Sequence, residues 1–122
     1  MTASNADGAV VVVLATFPDE AVAGAVAVAL VSEGLVACVN LLPAVRSVYR
    51  WQGAVETASE VLAVMKTRAG GVDDVVARVK ALHPYEVPEV IALPVVAGLP
   101  ASLQWVISET TTKTDTLKEP AP

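Results

Sequence analysis

The stretch LVACVNLLPAVRSVYRWQGAVETASEVLAVMKT, residues 35–67, restricts the fold more than any other part of the chain. Gln52-Gly53 is a turn signal between two extended arms. After the turn, Val55, Thr57, Ser59, Val61, Ala63 and Met65 alternate with Glu56, Ala58, Glu60, Leu62, Val64 and Lys66. Both sides become apolar only from Val61 to Met65, so the first half of this arm is expected to project beyond the domain's own core. Each arm runs past roughly ten residues, against about 5–6 for a typical strand. A hairpin of that length leaves unpaired edges unless another subunit covers them, which predicts an oligomer. Pro43 lacks the N–H that a ladder needs, so a bulge or bend is expected in the first arm.

The rest of the chain supplies elements around this hairpin. GAVVVVLATF (8–17) is a continuous β-branched run, the pattern of a strand buried on both faces. A helix follows: Thr16 and Asp19 have capping-box spacing, Pro18 suits an early helical position, and Val22, Val26 and Leu30 share one face before Gly34 closes it. Val72, Val75, Val76, Val79 and Leu82 form the stripe of a second amphipathic helix. Pro84 disfavours helical geometry at His83 and ends that helix. EVIALPV (89–95) reads as a strand with Pro94 at an edge or an end, and PASLQWVISE (100–109) as a short helix. The order β-α-β-β-α-β plus a C-terminal helix predicts an α+β, ferredoxin-like (split βαβ) antiparallel sheet with helices on one face. The domain is expected over 8–109, with a flexible N-terminus over 1–7 and a disordered, Pro-ended tail over 110–122.

Composition excludes several classes. The chain has 122 residues, enough for one domain with a real core. Hydrophobic content is 54% and mean hydropathy +0.58, which raises a membrane span as a rival. Pro94, Gly98 and Pro100 break the longest uncharged run, so no span and no membrane partner are expected. A net charge of −5 with eight scattered Lys and Arg argues against nucleic acid. The N-terminal stretch carries Asp7 and no basic residue, so no secretory signal is expected. Cys38 is the only cysteine, which suits a reducing cytoplasm. Walker, dinucleotide, C-x-x-C, H-E-x-x-H and G-x-S-x-G motifs are all missing, so neither an enzyme nor an organic cofactor is expected.

A few residues could carry chemistry. Gly70-Gly71 precedes a helix and could offer N–H groups to a phosphate, but Asp73 and Asp74 in the first turn oppose an anion. Cys38 reads either as an inert core thiol or as a soft copper ligand. His83, the only histidine, reads as a cap on the helix C-terminus or as an imidazole ligand. Glu60, Glu86 and Lys66 are charged groups that could gather with it in a cleft between subunits, and Glu89 is a further carboxylate. Tyr49 and Trp51 near the hairpin tip are expected at a subunit interface, where such residues are enriched.

VVVLATFPDE, LVACVNLLPAVRSVYRWQG, EVLAVMKT and LHPYEVPEVIALPV occur in this order and together resemble the CutA family of divalent-cation tolerance proteins. The resemblance spans roughly residues 9 to 109. It implies a ferredoxin-like fold, a homotrimer built by the long hairpins, a cytoplasmic setting, and a role linked to divalent metals, copper(II) in particular. It places metal ligands at His83, Cys38 and Glu86, an intersubunit cleft at Glu60, Lys66, His83, Tyr85 and Glu86, and the trimer interface at Tyr49 and Trp51. Some members that bind copper have a cysteine where this chain has Ala15 and a second histidine where it has Leu82. The trimer is similar to that of PII signalling proteins, so the alternative expectation is a binding module that takes a small molecule or a partner protein between subunits.

Overall fold

The computed structural model describes residues 3–4 and 9–110. The flexible start expected over 1–7 lies outside these residues apart from Ala3–Ser4. The tail expected over 110–122 lies outside them apart from Thr110. The elements run β1 (Ala3–Ser4), β2 (Val10–Phe17), α1 (Glu20–Ser32), β3 (Cys38–Trp51), β4 (Ala54–Arg68), α2 (Val72–Leu82), β5 (Val90–Pro94), β6 (Ala97–Gly98) and α3 (Pro100–Ser108). Four strands form one antiparallel sheet in the order β3-β4-β2-β5, and β1 pairs with β6 separately. This is the α+β arrangement that the element order predicts.

Strand alternation divides the sheet into two unlike faces. On one face Val11, Val13, Ala15 and Phe17 of β2 and Val61, Ala63 and Met65 of β4 pack against Ala23, Val26 and Leu30 of α1 and Val75 and Val79 of α2. The other face carries Val12, Leu14, Leu62 and Val64, all half-buried, beside Leu42, Ile91 and Leu93, which are 44%, 49% and 45% exposed. Helix α3 reaches only its end, where Val106 packs with Val10 and Ala37. Arg68 secures that end: Nη2 donates to the carbonyls of Ile107 (3.4 Å) and Thr110 (2.6 Å), and Nε to Thr110 Oγ1 (3.3 Å). Thr110 is buried and so belongs to the folded domain.

Helix α1 starts later than the capping-box spacing implies. Asp19, in extended conformation, is the N-cap, and its Oδ1 accepts the Val22 N–H at 2.9 Å. Thr16 instead remains in β2, where ladder pairing to Leu62 holds it. The helix closes as expected at Gly34, with φ +72°. The Leu35 N–H reaches the Leu30 carbonyl and the Gly34 N–H the Val31 carbonyl, the bond pair of a Schellman end.

The hairpin has arms of 14 and 15 residues. Gln52 and Gly53 both have positive φ, 49° and 82°, as the tightest hairpin turns require. Pairing shifts register between Leu42 and Val45, so Pro43 and Ala44 form the expected bulge, with Ala44 at φ 61°. Strand β2 pairs with β4 only from Val61 onward. Among the described residues Ala54–Glu60 therefore pairs with β3 alone, as a two-stranded ribbon that leaves the four-stranded sheet.

Candidate functional site

The place where β2 stops and the ribbon continues is filled by the segment after α2. Pro84 ends α2 and turns His83 to an extended backbone, ψ 136°. The side chain then folds inward and is only 7% exposed. Its Nε2 lies 2.7 Å from the Thr16 carbonyl and its Nδ1 3.1 Å from the Tyr85 amide. A carbonyl only accepts and an amide N–H only donates, so the ring is the neutral tautomer with its proton on Nε2. Phe17 stacks on it with centroids 4.8 Å apart, and Tyr85 tilts against it at 4.7 Å. Both nitrogens are committed inside the fold, and His83 works as the clamp of its loop.

The clamp positions Tyr85 and the residues after it. Tyr85 Oη donates to Glu60 Oε2 at 3.1 Å, across the gap between loop and ribbon. Burial, then the bond to Glu60, pushes the Tyr85 phenol up to about 12. Lys80 donates to the Glu86 carbonyl and ties the loop back to α2. Together these contacts border a cavity of about 580 Å³ lined by Thr16, Ser47, Tyr49, Trp51, Glu60 and Tyr85, with Val48, Glu86, Val87 and Glu89 at its sides. Its volume lies within the range of small-molecule sites, about 300–1,000 Å³.

The pattern of CutA1, the divalent ion tolerance protein family, matches residues 11–109. The chain belongs to the CutA1 family. It is 48% identical over 99 residues to the divalent-cation tolerance protein CutA of Thermus thermophilus, which covers 81% of this chain and 96% of that one. The mouse protein CutA is also 48% identical, and there the chain spans 56% of the relative's length. A solved Thermus thermophilus structure superposes with a TM-score of 0.82 at 47% identity, covering 84% of this chain and 99% of that chain. A rice CutA1 structure gives 0.82 at 42% identity, covering 84% and 94%. Compartments differ among these CutA1 proteins: a rice relative is named chloroplastic and a solved structure from Archaeoglobus fulgidus periplasmic. Among the described residues of this member, no helix is long and apolar enough to cross a membrane.

Against this CutA1 fold the expected site residues separate into two groups. Glu60, Tyr85 and Glu86 line the cavity with Tyr49 and Trp51, and His83 lies in the clamp behind Tyr85. Lys66 does not line it; its Nζ donates to Asn40 Oδ1 further along the hairpin. Cys38 pairs with Lys66, whereas Thr16, which holds His83, pairs with Leu62. Four residues of strand separate those positions, about 13 Å at strand rise. Within a single copy Cys38 and His83 therefore stand too far apart to share an ion with Glu86. Among the described residues no three His, Cys, Asp or Glu side chains stand close enough to hold a metal. Ser47, Val48 and Val87 are not expected at a site from the sequence, and Thr16 is expected there only as a helix cap. Ser47 alone carried a signal, since it shares a ribbon face with Tyr49 and Trp51 by alternation.

Proposed function

We propose that this CutA1-family chain serves divalent-cation tolerance as a homotrimeric, non-catalytic binding protein, with its ligand in the cavity beside Tyr85. The observation that carries the reading is the clamp: both His83 nitrogens are spent on Thr16 and Tyr85, and the bonds they make hold the cavity wall in place. An imidazole so engaged is a scaffold and not a copper ligand. This favours the PII-like module over a copper(II) centre on His83. A divalent cation remains compatible with the role where donors come from more than one copy, since the described residues of one chain gather too few.

Two features support the trimer. The ribbon over Val45–Trp51 and Ala54–Glu60 has no third strand among the described residues. The sheet face with Leu42, Ile91 and Leu93 is apolar and uncovered over most of its length. We also place the protein in the cytoplasm, because its only cysteine is unpaired.

Calorimetric titration of copper(II) into wild type and His83→Ala tests the reading, with circular dichroism confirming that both are folded. Equal, weak binding is expected. Tight binding by wild type that His83→Ala abolishes would overturn it in favour of a copper centre.

A further inference from the structure

We propose that the cavity takes a small organic cation, a primary ammonium or a guanidinium, with Glu60 as its counter-ion. The inference rests on the cavity reading above and names the class of ligand.

Within one chain, every charged side chain on the cavity wall is acidic. Among the described residues the lining contains Glu60, Glu86 and Glu89 and no Lys, Arg or His. Glu60 is only 7% exposed, and of its two oxygens Oε2 accepts from Tyr85 while Oε1 has no protein donor among the described residues. A carboxylate has about four lone-pair sites, and burying it without donors is costly. A ligand N–H group supplies what Oε1 lacks, and a charged one makes the stronger bond. Tyr85 holds the carboxylate in place beforehand, so little ordering remains for binding.

The basic residues on neighbouring elements do not meet this need. Val45 pairs with Glu60, so alternation puts Ser47, Tyr49 and Trp51 on the Glu60 face of the ribbon, and Arg46 and Arg50 are not among the residues that line the cavity. Lys80 is tied to the Glu86 carbonyl and Lys66 to Asn40.

Shape selects an organic cation over a metal ion. A metal needs several oxygens converging on one point, and no such group exists among the described residues. Tyr49, Trp51 and Tyr85 instead line the cavity with aromatic rings, which attract ammonium and guanidinium groups, and Val48 and Val87 offer apolar surface to methylenes.

The test is a calorimetric titration, with tryptophan fluorescence alongside, of the full chain with agmatine, a doubly cationic probe, and with glutarate, an anion of similar length. Agmatine is expected to bind wild type, glutarate not, and Glu60→Gln is expected to weaken agmatine about tenfold. If Glu60→Gln does not fold, the exposed Glu89→Gln gives the readout instead, about threefold weaker. Agmatine affinity unchanged in the folded Gln variants overturns the proposal. So does glutarate binding with agmatine inert, which leaves the cavity reading intact; that reading fails separately, by His83-dependent copper binding. A third result also overturns it: no agmatine binding, with Glu60→Gln breaking up the oligomer, would mean that a second copy's arginine fills the cavity.

Discussion

Tyr85 and Glu60 stand 25 positions apart in sequence, and the single bond from Tyr85 Oη to Glu60 Oε2 joins the loop after α2 to the base of the ribbon. The acceptor is a buried carboxylate, so the bond contributes more than one between neutral groups. Tyr85→Phe is therefore expected to destabilise the protein by about 1–2 kcal/mol, discounted for the partly exposed phenol. Urea unfolding of wild type and variant, with unchanged slope and a lowered midpoint, is the measurement.

The same contact should show in alkali. Tyr85 is raised to about 12 by burial and by Glu60, above the ordinary value near 10. Its contribution to stability is fully present below pH 10 and is lost as pH rises through about 12, because the unfolded chain ionises first. Spectrophotometric titration of the two tyrosines should resolve a late-ionising one. Glu60→Gln should bring that step part of the way back, since burial, the larger cause, remains.

His83→Ala should be expensive whatever metals do. It removes a stacked ring from Phe17 and leaves the Thr16 carbonyl and the Tyr85 amide without their partner. A loss of about 2–4 kcal/mol is expected from the cavity and the broken bonds together. Thermal unfolding checks it, and a midpoint within a degree of wild type would contradict the clamp.

For the assembly, Leu42→Lys places a charge on the uncovered sheet face beside Leu62. Light scattering at micromolar concentration is expected to give a trimer for wild type and smaller species for the variant. The wild-type unfolding midpoint should rise with protein concentration, and that of a dissociated variant should not.

Local chemistry made much of the fold legible in the sequence. Gln52-Gly53 could only be a tight turn between apolar arms, Pro43 could only disturb its ladder, and Pro84 could only end α2 near His83. Each effect acts within a few residues, through a missing donor or a permitted φ, so no distant contact is needed to read it. The start of α1 was less legible, because Thr16 and Asp19 both offer a capping oxygen. The ladder to β4 claimed Thr16 and left the cap to Asp19.

By itself, then, the sequence determined the order of elements, the overlong hairpin and the presence of a charged, aromatic HPYE segment at a helix end. Only the tertiary structure decided what those groups do. Where β2 stops short of the ribbon, the loop drops beside Glu60, and the Thr16 carbonyl accepts a hydrogen bond from His83 Nε2. That bond turns the lone histidine inward as a clamp. It leaves the buried carboxylate of Glu60 facing the cavity, because a side chain's free valences depend on partners that only long-range packing supplies.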